Sequence, residues 1–187
     1  MNRISKKSLL TVRERVLLHI LSYQKFYQDA DAPPSVTQEG IADAVQVGRN
    51  NVSKVVNDLT MSEDIEVQTK HVKGYPSIRK VYFLTPKGFQ EALKLKAEIE
   101  STEVILVDFD GSEVREEIGK INLHLPKQYP FLEIVLGVSR GRFDCSSFHE
   151  MKIKDERRFV DYTDRKPAIR IFYGRKSEMD RLQAFLD

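Results

Sequence analysis

The chain has 187 residues, of which 41% are hydrophobic and 31% charged, and a formal net charge of +2. This is the composition of a soluble globular protein with room for one large domain or two small ones. No apolar run approaches the ~18 residues needed to cross a membrane, and a single cysteine, Cys145, excludes an intrachain disulfide framework.

The N-terminus, MNRISKKSLL, is basic but lacks a long apolar stretch and a small-residue cleavage site, so a cytoplasmic start is expected and not a signal peptide. The first helix is predicted over 12–27. Thr11 and Glu14 stand at capping-box spacing before it. Val12, Val16, Ile20 and Tyr23 share a face that Leu17 and Leu21 widen. The run DADAPP over 29–34 is a loop, because two prolines cannot continue a helix.

A second helix is predicted after Thr37, a good N-cap, with Ile41, Ala42 and Val45 as its buried stripe. Gly40 inside it costs ~1 kcal/mol relative to alanine, which points to close packing against a neighbouring helix. Gln46-Val47-Gly48 is the turn, and Gly48 is expected to take the left-handed conformation at the helix end. The third helix is predicted over 49–61, since Val52, Val55, Val56 and Leu59 recur at i, i+3, i+4 and i+7. Its opposite face carries Arg49, Asn50, Asn51, Ser53, Lys54 and Asn57, which are amides, hydroxyls and cations with almost no acid.

Two β-branched and aromatic stretches, 65–71 and 80–84, read as strands joined by VKGYPSIR, a tip containing Gly74 and Pro76. From Val67 to Gln90 there is no acidic residue, while Lys70, Lys73, Arg79, Lys80 and Lys87 are all present. Such a block in a nearly neutral chain predicts a localised face for a polyanion. Thr85-Pro86 is an N-cap followed by proline at the first helical position, opening a fourth helix over 86–100.

The composition then turns acidic, with Glu98, Glu100, Glu103, Asp108, Asp110, Glu113, Glu116 and Glu117 against Arg115 alone up to residue 117. A buried strand is predicted over 104–109, a turn at Asp110-Gly111, a return strand over 113–118 and a short helix over 130–139. RRFVDYTDRKP over 157–167 reads as a linker. Met179, Leu182, Phe185 and Leu186 recur at helical spacing in the last segment.

TQEGIADAVQVGRNNVSKVVNDL resembles the helix-turn-helix of winged-helix regulators of the MarR and ArsR type, and KVYFLTPKG resembles their second wing strand and the helix start after it. The resemblance covers about 11–100. One departure is Ser62-Glu63-Asp64, where such domains usually have a charged residue and glycine; Asp64 is the residue expected to accept a left-handed turn here. The resemblance implies that the third helix enters the major groove of double-stranded DNA with its N-terminal residues on base edges. Arg49 then pairs with guanine and Asn50 or Asn51 with adenine. Ser53, Lys54 and Asn57 reach phosphates or flanking bases, and Lys70, Lys73, Arg79 and Lys80 anchor the wing on the backbone. His71 belongs to the same wing. Winged-helix regulators commonly dimerise through the helix after the wing, so Phe89, Leu93, Ile99 and the strand VILVDF are expected to bury a homodimer interface, or else to pack within one chain.

A second, shorter resemblance lies at the end of the chain. IFYGRKSEMDRLQAFLD is similar to the lead-in of many AAA+ and STAND-type NTPases, which implies an NTPase domain beyond residue 187. No Walker A loop occurs in the sequence, so no phosphate cradle or other cofactor site is argued. Cys145 and His149 are two ligands at most, too few for a zinc site. Asp108 and Asp110 lack the partners of a phosphatase, and Ser146-Ser147 has no general base at a recognisable spacing. No enzyme constellation emerges.

The expected protein is thus α+β: a winged helix-turn-helix over 1–100 with a three-helix core and a two-stranded wing, a small acidic α/β interaction module over 101–165, and a linker and C-terminal helix over 166–187. The expected function is DNA-binding transcriptional regulation, with a winged-helix protein-interaction module of a signalling ATPase as the alternative. An interaction surface should expose apolar anchors, and only Tyr75 and Ile78 at the wing tip qualify.

Overall fold

The computed structural model describes residues 9–158. Helix α1 (Val12–Leu21) begins with the capping box of Thr11 and Glu14. It ends six residues earlier than the hydrophobic pattern suggests, and a 3-10 turn (Gln24–Phe26) follows. The Gln24 side chain accounts for the break. Its amide donates to the carbonyl of Leu84 at 3.1 Å and accepts from the Leu84 N–H at 3.0 Å. A side chain in that role leaves the helix direction to reach a strand end.

Strand β1 (Asp31–Ala32) and a 3-10 turn (Pro34–Val36) lead into α2 (Gln38–Val45), capped by the Thr37 hydroxyl, which accepts from the N–H of Gly40. Gly40 packs on the 3-10 turn and not on a helix: a Cβ there would lie 2.3 Å from the carbonyl oxygen of Pro34. α2 closes with a Schellman motif in which Gln46, at φ 57°, is the left-handed residue. Its N–H bonds the carbonyl of Asp43, and the N–H of Val47 bonds that of Ala42. Gly48, expected in that role, instead has extended backbone and is the N-cap of the next helix.

Helix α3 (Arg49–Met61) buries Val52, Val56 and Leu59. It too ends in a Schellman motif, with Asp64 N–H on the carbonyl of Leu59 and Glu63 N–H on that of Thr60. The left-handed residue is Glu63, at φ 58°, and not Asp64. Asp64 is buried and does different work. Its carboxylate pairs with Arg13, accepts from the Ser62 hydroxyl at 2.5 Å and lies 2.9 Å from the Lys87 ammonium.

Strands β2 (Ile65–Val72) and β3 (Ile78–Leu84) form the antiparallel wing, in register from Ile65 opposite Leu84 to His71 opposite Ile78. β1 adds in parallel beside β2. One face of the wing covers a small cluster of Ala32, Val36, Val72, Val81 and Phe83, flanked by Tyr23, Phe26, Tyr27 and Tyr75. Helix α4 (Pro86–Glu100) follows, capped by Thr85.

Beyond α4, β4 (Glu103–Val107) pairs antiparallel with β5 (Glu113–Glu117) and parallel with β6 (Arg142–Asp144). A 3-10 stretch (Ile118–His124) and helix α5 (Phe131–Gly137) connect β5 to β6. Ile118, Ile121, Ile134, Phe143 and Phe148 belong to the same hydrophobic core as Val16, Leu17, Val56 and Leu84. That core lies within the first of two compact units, which ends at His149. Helix α6 (Cys145–Arg158) starts in this unit, and its continuation is the described part of the second, which begins at Glu150. Most of the expected linker and the NTPase-like segment lie outside the described residues. Among the described residues no helix is long and apolar enough to cross a membrane.

Candidate nucleic-acid interface

The turn after α2 and the stripe of α3 fix which way α3 presents its polar face. With Val52, Val56 and Leu59 inward, Arg49, Asn50, Asn51, Lys54 and Asn57 are exposed and Ser53 is half-buried. The sequence-predicted reading residues therefore share one helix surface. Lys73 and Lys80 of the wing are also exposed, and Arg79 is half-buried.

The first turn of α2 meets the first turn of α3 and the wing at Glu39. One carboxylate oxygen of Glu39 lies 2.9 Å from Nη1 of Arg49, and the other 3.1 Å from Nη1 of Arg79. The Arg79 guanidinium also stacks on the Tyr75 ring, 3.8 Å from its centre. Gln38 donates to the Arg49 carbonyl at 3.4 Å. Thr37, Gln38, Glu39, Arg49, Arg79, Lys80 and Tyr82 line a polar cleft at this junction. Both arginines stand out in the sequence, whereas Glu39, the acid that joins them, does not. The available signal was an acidic residue in the first turn of the helix preceding a basic, amide-rich one.

Two wing residues are differently placed. Lys70 is turned toward the body of the protein, where its ammonium donates to the backbone carbonyls of Tyr27 and Asp29 and lies 5.0 Å from the centre of the Phe83 ring. His71 lies 3.2 Å from the Asp31 carboxylate across the β1–β2 pair. The side chains of Asn50, Asn51, Lys54, Lys73 and Lys80 have no hydrogen-bond or ion-pair partner among the described residues. They present unpaired polar groups to solvent.

The remaining reactive groups are structural in their surroundings. Burial pushes the Cys145 thiol up to about 11, with the Asp108 and Asp144 carboxylates adding to the shift. That is the environment of an unreactive thiol. His149 is engaged with the Tyr129 hydroxyl at 3.2 Å. Asp110 caps its own turn by accepting from the N–H of Ser112.

The fold defined by α1 to α4 and the β2–β3 hairpin is a winged helix-turn-helix, within an α+β chain. No family model and no curated protein matches the sequence. Among solved structures, the chain is similar to MepR, a transcription regulator of the Staphylococcus aureus multidrug efflux pump MepA. The identity is 14% over 95% of this chain and 79% of that one, with a TM-score of 0.36. A point mutant of S. aureus MepR gives 21% identity over 48% of this chain and a TM-score of 0.38, and this chain spans only 58% of its length. A MarR family transcription regulator gives 18% identity over 83% of this chain and 76% of that one, with a TM-score of 0.37.

Proposed function

We propose that the chain is a DNA-binding transcriptional regulator that places α3 in the major groove and the β2–β3 wing on the phosphate backbone. The observation that carries this reading is the shared surface of α3 and the wing: Arg49, Asn50, Asn51 and Lys54 are exposed on one, Lys73 and Lys80 on the other, and Arg49 and Arg79 meet at Glu39. In this reading Arg49 takes guanine through two hydrogen bonds and an asparagine takes adenine. Ser53, Lys54 and Asn57 serve flanking bases or phosphates. Lys73, Arg79 and Lys80 hold phosphates, which fix register without reading sequence. The half-buried Lys70 braces the wing from behind. The acidic β4–β5 segment repels a polyanion, so it lies away from DNA and mediates other contacts.

Fluorescence anisotropy with a random-sequence duplex at low and high salt tests the reading. Non-specific dissociation constants of ~10⁻⁴ to 10⁻⁶ M are expected, weakening steeply with salt. Absence of binding at low salt, or salt-independent binding, overturns it.

We further propose that two copies associate through α4, which places two half-sites about 34–36 Å apart. Ile99, Val104 and Leu106 are buried in the chain's own core, whereas Leu93 is 40% exposed and Phe89 half-buried. The interface therefore centres on Leu93, and sedimentation equilibrium of wild type against Leu93→Glu tests it. A wild-type monomer at tens of micromolar excludes this assembly.

A further inference from the structure

We infer that Glu39 is a specificity-determining residue, which positions Arg49 for base reading and opposes binding to phosphates alone. The inference rests on the DNA-binding reading above and adds to it a residue that carries the wrong charge for a polyanion ligand.

Glu39 gives one oxygen to each arginine, at 2.9 and 3.1 Å, so a single carboxylate couples the start of α3 to the wing. It stands in the first turn of α2, where the partial positive charge of the helix N-terminus favours an anion. The Glu39 side chain is 39% exposed and that of Arg49 is 62% exposed, so solvent and DNA can both reach the bridge.

Two consequences follow from chemistry. First, an arginine side chain has large rotamer freedom, and fixing it before contact lowers the cost of a bidentate hydrogen bond to guanine. A guanidinium carries five N–H donors, so a carboxylate on Nη1 does not exhaust it. Arg49 can keep Glu39 and still offer N–H groups to a base edge. Second, binding to an arbitrary sequence draws Arg49 and Arg79 onto phosphates. Arg79 holds a phosphate in either mode, but a phosphate on Arg49 brings a second anion against the Glu39 carboxylate, whereas the neutral edge of guanine does not. Specificity is a difference between affinities, and a group that penalises the wrong mode raises it. Glu39 is such a group: it lowers affinity for DNA in general more than for a sequence on which Arg49 reads a base.

The test compares wild type, Glu39→Gln and Glu39→Asp as the full chain. Glu39→Gln keeps shape and removes charge; Glu39→Asp keeps charge on a shorter arm. Each is measured by anisotropy on a random-sequence duplex, and each is used to select sequences from a randomised duplex pool. Glu39→Gln should bind the random duplex about fivefold more tightly, the scale of one or two exposed ion pairs lost. Its selected motif should become degenerate at the base pair that Arg49→Ala also relaxes. Glu39→Asp should stay near wild type on the random duplex. A Glu39→Gln variant that binds the random duplex no more tightly, or that selects the wild-type motif unchanged, overturns the inference and leaves the DNA-binding reading standing. If Glu39→Gln weakens every sequence alike, the bridge is only a brace, and the inference fails in the same way. Wild type that binds no duplex at low salt removes the reading and the inference together.

Discussion

The backbone of Gly88 lies against the carbonyl of Asp64, so closely that a Cβ on residue 88 would stand 1.8 Å from the Asp64 oxygen. This contact sets the start of α4 on the end of α3. The Thr85 hydroxyl donates to the Glu63 carbonyl at 2.7 Å and accepts from the N–H of Gly88 at 3.1 Å, completing the junction. The obstacle is backbone, which cannot rotate away as a side chain can. Gly88→Ala should therefore destabilise the protein by about 2 kcal/mol or more, the upper part of the range for overpacked sites. Urea denaturation checks it. A midpoint equal to wild type would show that the helix start can shift at little cost.

Asp64 makes the same junction sensitive to acid. Burial favours the protonated carboxyl, but hydrogen bonds from Ser62, Lys87 and Arg13 outweigh it and hold Asp64 below the ordinary carboxylate value. The depressed folded pKa means that the unfolded chain takes up the proton first as the pH falls. The stabilisation is fully present above about 3.9, the unfolded value, and is lost as the pH drops through the lower folded value. Asp64→Asn should remove this part of the acid transition and cost about 1–2 kcal/mol at neutral pH, since Arg13 and Lys87 remain partly solvated. Parallel urea titrations of wild type and variant between pH 2 and 7 give the difference; an unchanged profile excludes the role.

His19 acts higher on the pH scale. It is buried in α1, and desolvation lowers its pKa although the Ser35 carbonyl, 2.8 Å from Nε2, partly offsets this. A histidine held neutral in the fold is protonated first in the unfolded chain. Its contribution is thus constant above about 6.5 and falls progressively as the pH drops below that value. His19→Gln should flatten the stability profile below pH 6.5. The same slope in wild type and variant would assign it to other groups.

Much of this architecture is legible in the sequence because periodicity reports directly on burial. Val52, Val56 and Leu59 mark α3, and Thr85-Pro86 marks the start of α4. What escapes local pattern is set by distant partners. α1 stops at Leu21 because Gln24 is drawn to Leu84, sixty residues away. Glu63 takes the left-handed turn, while its buried neighbour Asp64 engages Arg13 and Lys87. Strand β6 has three residues in the run RGRFD, too short and polar to show alternation, and is defined by pairing with β4. The candidate interface divides along the same line. The exposed residues of α3 follow from the stripe on its other side, whereas the Glu39 bridge joins elements forty residues apart.

Lys70 and Lys73 look equivalent in sequence, as two cations three residues apart in one basic wing, and the structure separates them. Lys73 is exposed beyond the end of β2. The Lys70 ammonium is committed to the carbonyls of Tyr27 and Asp29, where it ties the segment after α1 to the wing. A cation that meets a phosphate releases a counterion, and its removal lowers the salt slope of DNA binding by about one. Lys73→Ala should do this and leave the urea midpoint nearly unchanged, as expected for a surface substitution. Lys70→Ala should do the reverse, leaving the slope intact and costing about 1–2 kcal/mol through the loss of charged hydrogen bonds. Both variants are read by the same two measurements, anisotropy across a salt series and urea denaturation. A Lys70→Ala variant that lowers the slope as much as Lys73→Ala, with stability unaltered, would place its ammonium on DNA and not on the protein.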